Sequence, residues 1–262
     1  MDKQAYLPIS WPERWHDSLG HVHAITTLIK GGCSTGDFAT FNLATHVGDD
    51  LVSVVNNRKK LQTDCKLQTT PAWLEQVHGK KIICADERID TYANQQHGDS
   101  KTLPQADASF TQTKGVVCAA LTADCLPVFF CNKTGTEVAV AHAGWRGLHA
   151  GIITNTVKAM SSPVADLLVS LGPAIGAQAF EVGTDVFRAF VDANHQNERA
   201  FVATSDGHYL CDIYQLARIE LCALGINEIT GGDYCTYGDE QLFYSFRRQQ
   251  TTGRMANLIW ME

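Results

Sequence analysis

Apolar residues fall in short runs separated by polar turns, and the spacing inside each run predicts its conformation. Val22 to Ile29 predicts a strand that ends at the Gly31-Gly32 turn. Between Val52 and Leu61, asparagine, arginine and lysine alternate with apolar positions, which predicts a helix. Lys81 to Ala85 predicts a short strand, and Val116 to Leu121 and Val128 to Cys131 predict two buried strands flanking a break. Glu137 to Ala141 predicts a strand ending at His142, and Leu167 to Leu171 one ending in Gly172-Pro173. Helices are predicted over Gly151 to Met160, Thr184 to Ala193 and Ile213 to Leu224, and late strands over Glu228 to Thr230 and Ala256 to Met261. The polar stretch from Tyr92 to Gln105 predicts a surface loop. Short strands mixed with helices, without a regular βαβαβ rhythm, favour α+β over a doubly wound sheet. There is no repeat and no linker, so residues 1–262 are expected to form a single domain around one core.

Composition narrows the function. The formal charge is −7, and the adjacent basic pairs are Lys59-Lys60, Lys80-Lys81 and Arg247-Arg248. No basic stripe results, which argues against nucleic acid as a partner. The stretch from Val116 to Cys131 is interrupted by Thr122, Asp124 and Pro127, too short and polar to span a bilayer. The first residues lack the charged and apolar regions of a signal peptide. Nine cysteines, an odd number with no CxxC, then point to a reducing compartment and a cytoplasmic location. No obligatory protein partner is evident. Neither a GxGxxG after a strand nor a GxxxxGK[ST] is present, so neither a dinucleotide fold nor a P-loop is supported.

Three segments interrupt apolar strands with polar residues that packing alone does not ask for. They are Trp73-Leu74-Glu75-Gln76-Val77-His78-Gly79, Leu121-Thr122-Ala123-Asp124-Cys125-Leu126-Pro127-Val128 and Val140-Ala141-His142-Ala143-Gly144-Trp145-Arg146-Gly147. Each carries an imidazole or thiol at an expected strand end, beside glycine or proline that lets backbone approach a bound object. Two imidazoles and one thiolate suit a borderline-soft metal and leave a fourth tetrahedral position open. A metal so held would make hydroxide accessible near neutral pH. The distances between His78, Cys125 and His142 along the chain match no short metal motif. Spacing alone therefore favours a Cys125 buried as a small hydrophobe and histidines satisfied in core or surface.

The same three segments, in this order, resemble the YfiH-like laccase-domain family, whose members are described as polyphenol oxidases, purine nucleoside phosphorylases and peptidoglycan editing factors. The resemblance extends through Phe41-Asn42-Leu43, His46-Val47-Gly48-Asp49-Asp50, Asn57-Arg58 and Gly172-Pro173-Ala174-Ile175-Gly176. It continues in Phe180-Glu181-Val182-Gly183, Cys235-Thr236, Phe243-Tyr244-Ser245-Phe246-Arg247-Arg248 and Thr252-Gly253-Arg254-Met255-Ala256. It implies an α+β layered sandwich, with two mixed sheets between helical layers, and zinc held by His78, Cys125 and His142. One departure is visible: Ile29-Lys30 precedes Gly31 where the family usually has an arginine, leaving Lys30 as a stand-in for any anion contact there.

Cys125, Asp124 and Arg146 are the catalytic candidates. Asp124 can accept a proton or orient a ligand histidine, or simply pair with nearby backbone. Arg146 can bind phosphate bidentately. Arg58, on the expected helix, is a second phosphate candidate, and Asn42 and Gln76 are candidates for contacts to base or ribose. Phe180, Trp145 and Phe243 can stack on a purine, although aromatics at such positions also serve cores. His46 is expected beside the site, and His16, His97, His195 and His208 on the surface. The leading expectation is a purine nucleoside phosphorylase acting on adenosine, inosine or guanosine, with methylthioadenosine a further candidate and adenosine deaminase activity alongside. The usual zinc deaminase signature, H-x-E with P-C-x-x-C, is absent. The alternatives are a hydrolase that edits UDP-muramoyl-serine in cell-wall precursors and, lower, a copper oxidase. The latter wants several His-x-His pairs, and the chain has one, His21-Val22-His23. A purely structural zinc would want a fourth protein ligand.

Overall fold

The computed structural model describes residues 5–88 and 103–262. In chain order its strands are β1 (Tyr6–Pro8), β2 (Val22–Thr27), β3 (Ile82–Cys84), β4 (Ala108–Thr111), β5 (Cys118–Thr122), β6 (Leu126–Asn132) and β7 (Val138–Ala143). They continue with β8 (Leu167–Leu171), β9 (Glu181–Gly183), β10 (Phe201–Ser205), β11 (His208–Cys211), β12 (Ile229–Gly231) and β13 (Met255–Met261). The α-helices are α1 (Leu51–Asp64), α2 (Trp145–His149), α3 (Ile152–Ala159), α4 (Thr184–Ala193) and α5 (Ile213–Ala223). Every expected strand and helix is present, Leu167–Leu171 and Thr184–Ala193 with the expected ends and the others with ends shifted. Residues 92–102 of the expected surface loop, His97 among them, lie outside the described residues.

A four-stranded sheet has the order β1-β2-β13-β5 and a six-stranded sheet the order β12-β8-β6-β7-β4-β3. Side-chain alternation along the central strands explains how they stack. In β6, Leu126, Val128 and Phe130 join a core under the helices, while Phe129 and Cys131 face the opposite way. In β13, Ile259 and Met261 meet Phe129, Cys131 and Val140 between the sheets, while Ala256, Leu258 and Trp260 pack outward toward Leu61 of α1. The result is a sandwich of two sheets, with α1 and its loops outside one and α3, α4 and α5 outside the other. Such strands, buried on both faces, read as continuous apolar runs.

Two details differ from the expected sandwich. The strands of the four-stranded sheet pair antiparallel, and among the described strands parallel neighbours (β12 with β8, β3 with β4) occur in the six-stranded sheet. A third sheet, β10-β11-β9, is added beyond the sandwich. Its strand Phe201–Ser205 is mostly exposed and lacks apolar alternation, so the pattern did not mark it. Cys118 and Cys131 belong to the core between the sheets, and burial pushes both thiols up to about 12. Both serve as packing groups of that core. All nine cysteines are free. No helix among the described residues is long and apolar enough to cross a membrane.

Candidate active site

The site lies where the chain crosses from one sheet to the other. β5 ends at Thr122 in the four-stranded sheet and β6 starts at Leu126 in the six-stranded one, so Ala123, Asp124 and Cys125 form the crossover. The turn needs Asp124 at φ 86°, a conformation that side chains other than glycine adopt at some expense. Its carboxylate holds the turn there. It accepts from Thr236 Oγ1 at 2.6 Å, Ser245 Oγ at 3.0 Å and the Arg247 amide at 2.6 Å. Asp124 thus braces the crossover, and among the described residues no hydrogen bond joins it to a histidine. The expectation that it orients a ligand histidine is corrected by these partners.

The carboxylate that does orient a histidine is Asp107, which the sequence reading missed. It directly precedes β4 and is fully buried. One oxygen lies 2.9 Å from His142 Nδ1 and accepts from the His78 amide at 3.0 Å. The other accepts from the amides of Gly79 at 2.7 Å and Val77 at 3.3 Å. Burial works against its charge, but the His142 ring and these loop amides hold its carboxyl below the usual carboxylate range. One anion thereby fixes the ring of one ligand candidate and the backbone of another, with His78 itself at φ 57°. A lone aspartate between Ala106 and Ala108 at the start of an apolar strand was the available signal.

His142 faces the same side of β7 as Val138 and Val140, toward the seam between the sheets. With Nδ1 engaged by Asp107, its Nε2 is the atom left for Cys125. The ligand atoms of His78, Cys125 and His142 all lie within 4.8 Å of one another, the only such group among the described residues. The two rings meet edge to face with centroids 4.7 Å apart. Burial opposes ionisation of Cys125, yet the charge and hydrogen bonds of His142 and His78 bring its thiol down to about 6. The same pairing, with Asp107 behind it, raises His142 to about 9 against the effect of its burial. Gly144 leaves room for this arrangement: a Cβ there would stand 2.8 Å from His78 Nδ1 and 2.9 Å from Cys125 Sγ. The donor set fits a tetrahedral ion with one position open, which needs donors roughly 3.5 Å apart. The carboxylate behind His142 is the outer partner that ligand imidazoles customarily have.

A cavity of about 380 Å³ opens over the three residues. His46, Gln76, Trp145, Arg146, Phe180 and Arg254 are among its lining residues, and Phe246 and Arg247 join them. Three guanidiniums lie over three of its aromatic rings: Arg146 over Trp145 at 4.4 Å, Arg247 over Phe180 at 5.6 Å and Arg254 over Phe246 at 5.7 Å. Arg254 and Phe246 belong to resembling motifs, but nothing in their spacing singled them out.

Other candidates are placed differently. Asn42 is fully buried outside the lining, its side chain bonded to Ala44, Asp49 and the Arg254 amide, so it shapes the loop rather than the cavity wall. Gln76 lines the cavity, but its amide clamps both backbone groups of Leu121. Arg58 lies outside the lining, with Nε on the Leu43 carbonyl and its guanidinium 4.2 Å from the Trp73 ring centroid. Phe243 is core and Lys30 is exposed, both away from the cavity lining. His16, His195 and His208 are exposed as expected. Arg146 stands on the short helix α2.

Comparison with known proteins places this architecture. A purine nucleoside phosphorylase, YfiH of Escherichia coli K12, is 45% identical over 248 residues, covering 95% of this chain and 97% of that protein. A purine nucleoside phosphorylase of Pseudomonas aeruginosa is 44% identical over 259 residues, covering 98% of this chain and 99% of its own. The crystal structure of YlmD from Geobacillus stearothermophilus superposes with a TM-score of 0.91 at 31% identity, covering 100% of this chain and 98% of that one. The family model described as multi-copper polyphenol oxidoreductase laccase matches residues 23–262, and the chain belongs to that family, in its YfiH-like branch.

Proposed function

We propose that the protein is a zinc-dependent purine nucleoside phosphorylase with an accompanying adenosine deaminase activity. The observation that carries this reading is one cavity combining the His78–Cys125–His142 set, aromatic walls and cationic groups. Its volume lies in the range of small-molecule sites, about 300–1,000 Å³. The relatives that bear the phosphorylase name are similar over nearly the full length of both chains.

Thiolate and imidazole donors with one position open favour zinc. A bound zinc would supply a Lewis acid and an activated water near neutral pH. Copper oxidase chemistry finds less support. His21 Nε2 is 2.9 Å from the Gly135 carbonyl oxygen and His23 stacks on Trp260, so the single His-x-His pair joins no cluster among the described residues.

The protein's own residues bind and orient. Trp145, Phe180 and Phe246 offer faces for a purine, and the arginines draw an anion toward the sugar. Asp107 keeps the His142 proton on Nδ1, so that Nε2 remains a donor toward the metal position. The test incubates pure protein with adenosine, with and without phosphate, and separates the products. Adenine and ribose 1-phosphate are expected only with phosphate, and inosine slowly in both cases. No nucleoside turnover beside rapid cleavage of UDP-muramoyl-serine would replace this reading with the cell-wall hydrolase.

A further inference from the structure

Arg247 of the cavity lining and its neighbour Arg248 are committed to backbone. Both terminal nitrogens of Arg247 donate to the Glu181 carbonyl, and those of Arg248 donate to the carbonyls of Thr236, Tyr237 and Phe243. Arg254 is different. Only its NH1 is engaged, by the carbonyls of Thr252 and Gly253, while Nε and NH2 have no partner among the described residues. None of the ion pairs among those residues includes Arg254 or Arg58.

The three elements that meet here are tied together by one loop. The Arg254 amide donates to Asn42 Oδ1, the Leu43 amide donates to the Arg254 carbonyl, and Arg58 Nε donates to the Leu43 carbonyl. His46 follows on that loop and lines the cavity with Arg254. Burial, then Arg254, then Arg58 lower the His46 pKa, with Glu75 the one opposing charge. Two guanidiniums thus act on one imidazole with no carboxylate bonded to either. Asp124, the buried acid of the neighbouring crossover, already accepts from three donors. A guanidinium with an unbonded edge and no ion pair in a half-buried cavity wall, although Cys125 and Asp124 act on its charge from nearby, is the form an anion subsite takes.

Building on the phosphorylase reading, we infer that Arg254, with His46 beside it and Arg58 behind, forms the subsite for inorganic phosphate. Arg146 also lacks an ionic partner, but it is exposed at the mouth, where solvent and salt screen it. Arg254 is half-buried with its backbone fixed, and both Cys125 and Asp124 are near enough to act on its charge. The free edge formed by Nε and NH2 can grip two phosphate oxygens at once. Asn42 and Arg58 then serve the reaction without touching substrate, by fixing the loop and the field.

The test compares wild type, Arg254→Met, Arg254→Lys and Arg146→Met, each with metal content and thermal melt recorded. Two readouts are used: the KM for phosphate at saturating inosine, and calorimetric titration of the protein with inorganic phosphate. Arg254→Met should raise the phosphate KM and weaken phosphate binding by about 10- to 100-fold, the loss of a charge-assisted contact. The KM for inosine should shift by less than about threefold. Arg254→Lys keeps the charge without the fork and should fall between the two, which also serves if the methionine variant folds poorly. An unchanged phosphate KM in Arg254→Met, with a raised one in Arg146→Met, would overturn the assignment. So would joint loss of metal and of binding for both substrates in the two Arg254 variants, which marks a residue that merely positions the ligands. Wild type that binds phosphate through Arg254 yet never cleaves a nucleoside would retain the subsite and discard the phosphorylase reading.

Discussion

Replacing Gly144 by alanine isolates the geometry of the three ligand candidates from everything else. The residue has φ −62° and ψ 158°, which alanine adopts without strain, so the substitution acts only through its new methyl group. That methyl would stand 2.8 Å from His78 Nδ1 and 2.9 Å from Cys125 Sγ. Comfortable contacts of carbon with such atoms lie near 3.5–4.0 Å, so the two groups must retreat by roughly 0.6–1.2 Å. Metal–ligand distances tolerate only about 0.2 Å. Losing one outer partner of a ligand weakens metal binding about 10- to 100-fold, and displacing two ligands should exceed this, by about 100-fold or more. The fold should suffer little, because His78 is exposed and can swing toward the cavity. Overpacking at the low end of its range, about 1 kcal/mol, corresponds to about 2–4 °C in melting temperature for a chain of this size. The assay is competition for zinc against chelators of graded strength, read beside thermal melts. Gly144→Ala with wild-type zinc affinity would refute the reasoning, because then the three residues do not converge on one ion.

Asp107→Asn should weaken zinc binding about 10- to 100-fold, since an amide donor faces either the His142 Nδ1 proton or the 77–79 amides. It should also lower stability by about 1–3 kcal/mol in urea titrations; an unaltered affinity would mean that Asp107 is only a loop anchor. In metal-free protein the lowered Cys125 pKa keeps the thiolate down to about pH 6. Alkylation of Cys125, followed by mass spectrometry, should therefore be nearly flat above pH ~7 and fall as pH drops through 6. A rate climbing through pH 8.5, as for an ordinary thiol near 8.5, would contradict the His142 pairing.

The sandwich was legible where strands are buried on both faces. Val116 to Leu121, Val128 to Cys131 and Ala256 to Met261 announced themselves as apolar runs because two cores consume their side chains. The edge strand Phe201–Ser205 and the short strands β1, β4, β9 and β11 carry no such pattern. Individual residues of the site were visible as polar breaks in strands, but their convergence was not. Cys125 and His142 meet because the crossover into β6 lies beside the end of β7, and His78 joins them because its loop's amides are held by Asp107, relations that no one-dimensional spacing encodes; the family resemblance supplied them. Asp107 escaped notice because three of its four partners are backbone amides, which have no identity in sequence. Asn42 misled for the converse reason: a polar residue in a recurring motif can serve the loop's own hydrogen bonds.

The position of β13 bears on how the molecule is made. It follows every other described strand in the chain, yet it lies between β2 and β5 at the heart of its sheet. During synthesis the ribosome therefore releases the crossover carrying Cys125 long before β5 has its neighbour, and Arg254 emerges immediately ahead of that strand. Pairings of such long sequence separation form late and slowly. A nascent chain therefore exposes its thiol and imidazoles while part of the cavity wall is still missing, and the three groups share a closed site only once β13 has been added.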